Sequence, residues 1–325
     1  MHNKNILITG GAGFIASNLT RKIIHDNKIT LFVKPQTDLQ RILDIKNHVN
    51  IKIIYGNLTD KELLTKIIQD KDYLFHFAWQ TDLKKSMLNP VQDLQQDIIS
   101  LIQVLEICKN INPAIKIIFT SAVTVIGEAS KIPSNEEEKE NPLSVYDLHK
   151  LIAEKYLQLY YKNYKIKSCS LRLSNVFGEY QKIDNPNRGV LNFMIGRALR
   201  NEPLTVYGDG EFIRDYCYVQ NYVDAFIAAA THENTDGEVF VLGSGQGKTM
   251  NQVVEKIKEI VEELTTKKVT IQHIPFPEGD HRINKRNFIV DHSKFSKATG
   301  WQPQISFENG LRKTIEFYLK NLSSE

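Results

Sequence analysis

The stretch ILITGGAGFIA, residues 6–16, decides the fold of this 325-residue chain. An apolar run with the length of a buried strand ends at two adjacent glycines, and a helical pattern begins just beyond Gly13. A strand, a tight turn and a helix N-terminus in this order suit the phosphates of a dinucleotide. Gly10 can form the turn, and Gly13 leaves no side chain between backbone and pyrophosphate. We therefore predict a cofactor-binding loop at Gly10 and Gly13, continued by Phe14 and Ile15.

Strand-like and helix-like segments alternate through the first half of the chain, with helices predicted at residues 39–45 and 91–109 among others. This alternation predicts an α/β fold, a Rossmann-type doubly wound parallel sheet that binds ligands at the carboxyl ends of its strands. The second half is less regular, and no linker separates the halves. We expect a dinucleotide-binding domain over residues 1–174 and a smaller, interwoven substrate-binding lobe over residues 175–325, with some segments returning to the first domain.

Composition narrows the class of protein. The chain is 42% hydrophobic and 24% charged, and its 41 basic and 38 acidic residues leave a net charge of +3. This balance argues against nucleic-acid and membrane-surface partners. No apolar run reaches the roughly 18 residues of a membrane span, and no secretory segment precedes the first strand, so we expect a cytoplasmic protein. Three cysteines and nine histidines without metal-ligand spacing predict no metal site.

Several further motifs follow the glycine turn in order. They are YDLHK at 146–150, LRLSNVFG at 171–178, YGDG at 207–210 with RDY at 214–216, DHSK at 291–294 and GWQP at 300–303. Together they resemble the extended short-chain dehydrogenase/reductase family, in particular its nucleotide-sugar epimerases, dehydratases and reductases. The resemblance implies an NAD(P)-dependent enzyme that transfers hydride at C4 of a nucleotide-diphospho-sugar. It also implies a homodimer formed through the long helices.

Tyr146 and Lys150 match the catalytic YxxxK pair of that family. Residues four apart share one face of a helix, so the ammonium can lie near the phenol. A phenol with a reference pKa of about 10 loses its proton more readily beside a cation. Tyr146 can then take a proton from an alcohol as hydride leaves carbon, or return one when a ketone is reduced. Lys150 is expected to lower the pKa of Tyr146 and to bind the cofactor ribose.

The catalytic hydroxyl departs from the family pattern. Strict register places Ala122 where relatives carry Ser or Thr, and Ser121 or Thr124 could supply the hydrogen bond to the substrate oxygen instead. We favour Ser121 as the catalytic hydroxyl and place Thr124 among the substrate-binding residues; these hydroxyls could also serve only to satisfy the strand end. Val123 and Thr124 replace the acidic pair of the 4,6-dehydratases, which argues against 4,6-dehydration.

The adenosine end of the cofactor site also departs from the family pattern. An acid near Val33 would bind the ribose hydroxyls, but the chain has Lys34 just beyond that position. A cation can pair with a 2′-phosphate, so Lys34 favours NADP(H) over NAD(H), although a solvated surface lysine is the alternative. By resemblance, Asn57 contacts the adenine, Leu58 is a further cofactor-binding residue, and Ala78 lines the cofactor.

Substrate binding is assigned to Asn175, Arg214 and Arg282. By resemblance, Arg214 lies in the segment that binds the nucleotide diphosphate, and a guanidinium can bind phosphate in a bidentate manner. Arg282 lies near a second phosphate-binding arginine of relatives. Lys285 and Arg286 make the same loop basic, which fits a diphosphate and equally fits an exposed turn.

Two enzymatic outcomes remain open. Lys34 favours a 4-ketoreductase that uses NADPH once per turnover, and the broad similarity to epimerases favours a 4-epimerase that retains NAD. We favour 4-ketoreduction at this point. A non-catalytic NAD(P)-binding protein is a third alternative; Ala122 supports it, and the presence of both Tyr146 and Lys150 argues against it.

Overall fold

The computed structural model describes residues 1–186, 189–276 and 286–322, and within them a seven-stranded, all-parallel sheet is flanked by helices. The strands are β1 (Asn5–Thr9), β2 (Lys28–Val33), β3 (Ile51–Tyr55), β4 (Tyr73–His76), β5 (Lys116–Ala122), β6 (Lys167–Leu173), β7 (Asn175–Phe177), β8 (Leu204–Tyr207), β9 (Ile213–Tyr218), β10 (Glu238–Leu242), β11 (Gly247–Thr249) and β12 (Ile271–Ile274). The helices are α1 (Phe14–Ile23), α2 (Lys61–Ile68), α3 (Leu83–Leu88), α4 (Pro90–Leu94), α5 (Ser100–Ile111), α6 (Val145–Tyr164), α7 (Val190–Leu199), α8 (Val219–Thr231), α9 (Met250–Leu264), α10 (Ser293–Thr299) and α11 (Phe307–Leu322). The predicted Rossmann-type α/β fold is confirmed.

The strand order of the large sheet is β3-β2-β1-β4-β5-β6-β10. The chain moves outward from β1 in one direction through β2 and β3, then crosses to β4 and continues the other way. This reversal creates a crevice at the carboxyl ends of β1 and β4, which is where open α/β sheets bind ligands. The second half of the chain contributes β10, which pairs with β6. The division into domains at residue 174 stays a prediction.

Two apolar layers hold the helices on the sheet. Side chains alternate between the faces of a strand, so Ile8 and Leu31 pack on α1 and α8, whereas Leu74 and Phe119 pack on α5 and α6. The second half builds its own core around β8, where Val206 packs with buried side chains from α7, α9 and α11 that include Leu191, Ile257 and Leu311.

The predicted helix at residues 91–109 differs from the observed one. Helical structure runs from α4 through a π-helical turn, Gln95–Ile99, into α5. A single wide turn leaves the apolar pattern of the flanking helices readable, so the sequence did not indicate it. The predicted helix at residues 39–45 is also wrong, because only the short 3-10 turn Gln40–Ile42 forms there.

A buried ion pair fixes α6 against the sheet. Arg172 of β6 donates from Nε to Glu154 Oε1 at 3.0 Å and from Nη2 to Glu154 Oε2 at 2.7 Å. Both side chains are almost fully buried, and Glu140 accepts a further bond from Nη2 at 2.9 Å. Because burial makes an unpaired charge costly, these contacts hold the helix and strand in one arrangement.

Among the described helices, none combines the length and apolarity needed to cross a bilayer.

Candidate active site

The glycine loop has the backbone shape expected for phosphate binding. Gly10 adopts φ +67°, and a Cβ there would lie 2.9 Å from the Ala78 nitrogen. The Gly13 nitrogen donates to Gly10 O at 2.8 Å, and Gly13 precedes α1 without a side-chain cap. The first N–H groups of α1 therefore point out of the helix end with no partner from the helix itself. Phe14 and Ile15 begin this helix, and both are half-buried.

The end of β4 is tied to this loop. Thr9 Oγ1 lies 3.1 Å from His76 Nδ1 and accepts the N–H of Ala78 at 3.2 Å. These bonds place Ala78 beside Gly10, at the crevice. Burial lowers the pKa of His76 to about 3, and the charge of Lys150 acts in the same direction, so the ring is neutral at pH 7. Its Nε2 atom is buried and has no hydrogen-bond partner in the described part of the chain.

Tyr146 and Lys150 lie in the first turns of α6. Ser144 caps this helix by accepting the N–H of Asp147 at 3.1 Å, and its hydroxyl donates to the Asp147 carboxylate at 2.8 Å. This reciprocal cap explains why the helix begins immediately before Tyr146. The predicted pair is therefore on one helix at the required spacing, with Lys150 buried and Tyr146 half-buried.

The Lys150 ammonium occupies an aromatic pocket. Its Nζ donates to Thr120 O at 2.6 Å and lies 4.0 Å from the ring centroid of Trp79, 4.6 Å from that of Phe119 and 5.7 Å from that of Tyr146. Aromatic faces attract cations, and the effect grows when water is excluded. Burial lowers the pKa of Lys150, and the charge of Asp97 opposes that change.

The two hydroxyl candidates, Ser121 and Thr124, lie at the end of β5 and just beyond it. Ser121 lies on the same face of the strand as Phe119, which is the face covered by α6. Its Oγ is buried and, among the described residues, has no hydrogen-bond partner. Thr124 donates its hydroxyl to Asp147, so it can only accept a further hydrogen bond. Ala122 projects toward the opposite face of the strand.

The residues assigned to the adenosine end are at the crevice margin. Lys34 directly follows β2 and is exposed, with its Nζ 3.4 Å from Gln96 Oε1. Asn57 is exposed in the loop after β3. Leu58 is buried in the apolar layer, and its carbonyl accepts a bond from Gln103 Nε2 at 3.1 Å.

The substrate candidates come from the second half of the chain. Asn175 lies in β7 and bonds to Tyr216, and Arg214 lies in the neighbouring β9. Burial lowers the pKa of Arg214 to about 10, and the nearby charge of Arg286 acts in the same direction. Both guanidiniums remain protonated at pH 7. Arg282 lies outside the described residues, so its predicted role is untested.

Sequence reasoning missed two side chains of this site and left a third undecided. Trp79 and Asp97 were not selected, although Trp79 lies three residues beyond the end of β4 and next to the selected Ala78, which was a usable signal. Arg286 was read as either a diphosphate ligand or an exposed turn, and the structure places it near Arg214.

Across the described residues, no group of three metal-ligating side chains could hold a metal ion.

Residues 7–314 match the family model described as GDP-mannose 4,6 dehydratase. Among solved structures, a UDP-N-acetylglucosamine 4-epimerase from Methanobrevibacter ruminantium is 31% identical with a TM-score of 0.89, covering 99% of this chain and 100% of that chain. A UDP-glucose 4-epimerase from Thermotoga maritima is 32% identical with a TM-score of 0.85, covering 98% and 99%. A UDP-glucuronic acid 4-epimerase from Bacillus cereus, solved with UDP-glucuronic acid and NAD, is 26% identical with a TM-score of 0.84, covering 98% and 99%.

The family match spans most of the chain, and the glycine loop and the Tyr146–Lys150 pair lie where the motifs predicted them. The chain belongs to the extended short-chain dehydrogenase/reductase family, among its nucleotide-sugar epimerases and dehydratases.

Proposed function

We propose that this chain interconverts the C4 epimers of a UDP-sugar and keeps its NAD bound between turnovers. The observation that carries the proposal is the Tyr146–Lys150 pair on α6, with the Lys150 ammonium against Trp79, in a chain whose similar solved structures include three UDP-sugar 4-epimerases. We therefore favour 4-epimerisation over the 4-ketoreduction that Lys34 alone favoured, and we keep 4-ketoreduction as the second candidate.

The residues at the crevice fit a dinucleotide. Gly10 and Gly13 leave room for a pyrophosphate against the N–H groups at the start of α1. Near Lys150, the buried Nε1 of Trp79 and Oγ of Ser121 have no hydrogen-bond partner within the described ranges. Buried polar atoms without partners are costly, so they favour a bound group that supplies those partners. When bound, the nicotinamide supplies a hydride acceptor and donor next to the sugar.

Tyr146 carries the proton transfer. Its phenolate takes the proton of the sugar C4 hydroxyl as hydride leaves C4, which gives a 4-keto sugar. When hydride returns to the opposite face of the keto carbon, the Tyr146 hydroxyl gives the proton back to the C4 oxygen. The Lys150 ammonium lowers the pKa of Tyr146 so that both steps proceed near neutral pH. Ser121 is the hydroxyl proposed to orient the C4 oxygen.

Two arginines from the second half can bind the diphosphate. Burial disfavours the charges of both Arg214 and Arg286, and the charge of Arg286 further lowers the pKa of Arg214, although Asp147 and Glu128 attract Arg286. A dianionic group bound by both arginines would stabilise their charged forms. Guanidinium geometry suits bidentate binding of phosphate oxygens. Asn175, which bonds to Tyr216 in β9, is proposed to contact the same substrate.

A 4,6-dehydratase activity is not proposed. Elimination of water requires a base near C5 of the sugar, and Val123 and Thr124 occupy the positions of the acidic pair. Thr124 donates its hydroxyl to Asp147 and has no carboxylate of its own.

The second candidate is a 4-ketoreductase that uses NADPH, and the observation that favours it is Lys34. Its exposed ammonium lies at the end of β2, where an acid would repel a 2′-phosphate. This candidate requires free exchange of the cofactor, whereas the epimerase retains it.

A homodimer is also proposed. Several large apolar side chains are exposed on the helical stretch from α4 to α5 and on α6, the helices implied by the resemblance. These side chains are Val91, Leu94, Ile99, Leu148 and Leu159. Pairing with a second copy of the chain would remove this surface from water.

Replacing Tyr146 tests the proton transfer. Tyr146→Phe keeps the ring and removes the acid, so kcat should fall by about 100-fold to 10,000-fold while the Kd for NADH stays within about twofold. Tyr164→Phe, which removes an exposed hydroxyl from the same helix, should leave both values unchanged. Unchanged turnover in Tyr146→Phe would remove this residue from the mechanism.

Replacing Lys34 separates the two candidates. We expect the purified protein to release NAD(H) on denaturation, and Lys34→Ala to change the Kd for NADH by less than about twofold, because an NAD-retaining epimerase has no 2′-phosphate to bind. Release of NADP(H), with about tenfold weaker NADPH binding in Lys34→Ala, would instead support the ketoreductase.

Charged substitutions test the dimer. Ile99→Glu combined with Leu159→Glu should halve the native mass measured by light scattering, because burying two carboxylates in an apolar interface is costly. Val49→Glu is the matched control, since Val49 is 92% exposed in a loop away from these helices. A monomeric wild-type protein would overturn the proposal.

A further inference from the structure

The buried position of Lys150 raises the question of what keeps its side chain charged. The Lys150 side chain is only 3% exposed, and its Nζ donates to a carbonyl, Thr120 O, and not to a carboxylate. Trp79 and Phe119 surround it with apolar rings. Burial favours a neutral amine, yet Lys150 supplies the positive charge that lowers the pKa of Tyr146 only as an ammonium. The site therefore needs a negative charge that acts on Lys150 through space.

The charges of three carboxylates raise the pKa of Lys150, and two of these carboxylates also have close side-chain partners. Glu154, on the same helix, forms the buried ion pair with Arg172. Asp93, on α4, lies 2.7 Å from His149 Nδ1. Both carboxylates are therefore engaged in hydrogen bonds with other side chains.

Asp97 is the third carboxylate, and its contacts hold it in place without neutralising it. It is 4% exposed on the π-helical turn, and both of its oxygens accept the N–H of Gln80, at 3.1 and 3.2 Å. Within the described part of the chain, those are the only hydrogen bonds of the Asp97 carboxylate. Gln80 directly follows Trp79, whose ring covers the Lys150 ammonium. The consecutive residues Trp79 and Gln80 therefore position both the aromatic ring over Lys150 and the Asp97 carboxylate.

The other titratable groups near Lys150 and Asp97 do not supply the negative charge that Lys150 needs. His76, at the end of β4, is neutral because burial lowers its pKa to about 3. Tyr146 is the group to be activated. Burial raises the pKa of the Asp97 carboxyl group to about 7, and the nearby charge of Asp93 acts in the same direction. The N–H of Gln80 and the charges of Lys150 and Lys34 oppose that rise and favour the ionised carboxylate. π-Helical turns are frequent at functional sites, and this one carries the acid.

We propose that Asp97 is a positioning residue of this enzyme, the counter-charge that keeps the Lys150 ammonium protonated inside the closed aromatic pocket. The assignment rests on the proposed function, because it concerns the same Tyr146–Lys150 pair. Asp97 touches neither substrate nor cofactor in this scheme and acts only through Lys150.

The Asp97→Asn variant tests the assignment, since asparagine can still accept the N–H of Gln80. The readout is the pH titration of the lysine Cε resonances in lysine-labelled protein, with Lys150 assigned by its loss in Lys150→Met. We expect the pKa of Lys150 to fall by about one unit or more in Asp97→Asn, because an attracting negative charge has been removed. The rising limb of kcat/KM against pH should move to higher pH, since a neutral Lys150 no longer lowers the pKa of Tyr146.

Asp93→Asn is the matched control, because it removes a second buried carboxylate from the same helical stretch. It should move the Lys150 titration less than Asp97→Asn does. An unmoved Lys150 titration in a folded Asp97→Asn variant would overturn the proposal, and so would a larger shift in Asp93→Asn. A uniform loss of kcat with no movement of the pH limb would indicate a structural role only.

A reciprocal measurement covers the case in which Asp97→Asn does not fold. In Lys150→Met the Asp97 carboxyl group loses its attracting cation, so it should gain a proton near neutral pH. The infrared carbonyl band of a buried protonated carboxylic acid should then be stronger at pH 7 in this variant than in the wild-type protein, because the charge of Lys150 lowers the pKa of Asp97. Absence of this difference would contradict the proposal.

These readouts also separate the proposal from the proposed function. The Lys150 titration needs no substrate, so it can succeed even if no UDP-sugar is converted. Conversely, an active epimerase with an unchanged Lys150 titration in Asp97→Asn would leave the proposed function standing and remove the role of Asp97.

Discussion

The central constraint in this structure is a lysine that must remain charged while it is buried. Lys150 belongs to α6 and reaches the end of β5, where its ammonium donates to Thr120 O. The rings of Trp79 and Phe119 lie next to the ammonium. The position of α6 is set by another buried cation, Arg172, through Glu154. The fold thus brings a helix with the acid/base tyrosine to the crevice at the carboxyl ends of the strands, where a dinucleotide loop is already in place.

The features predicted correctly from the sequence depend on short-range patterns. The glycine loop follows from one strand-turn-helix segment, and the Tyr146–Lys150 spacing follows from the geometry of one helix. Arg286 and Asp97 could not be assigned in this way, because their neighbours Arg214 and Lys150 lie in distant parts of the chain. The π-helical turn that carries Asp97 was also missed, since one wide turn does not interrupt the apolar pattern.

Ala122 has no hydroxyl, so Ser121 and Thr124 are the two residues considered for the hydrogen bond to the sugar oxygen. Strand alternation turns Ser121 toward α6, whereas Thr124 is engaged by Asp147, the residue that also completes the cap of α6. A hydroxyl that donates to a carboxylate cannot also donate to a sugar oxygen. Ser121 therefore remains the better candidate, and Thr124 is suited to accept a hydrogen bond from the sugar or to hold the loop.

A nucleotide sugar labelled with deuterium at C4 tests the central claim most directly. UDP-glucose and UDP-N-acetylglucosamine carrying this label would be incubated with the protein without added cofactor, and the products would be examined by NMR and mass spectrometry. We predict that one of them gives its C4 epimer with deuterium still at C4, because hydride leaves and returns within one site. Replacement of the deuterium by solvent hydrogen, or formation of a 4-keto-6-deoxy sugar, would contradict hydride-transfer epimerisation at C4.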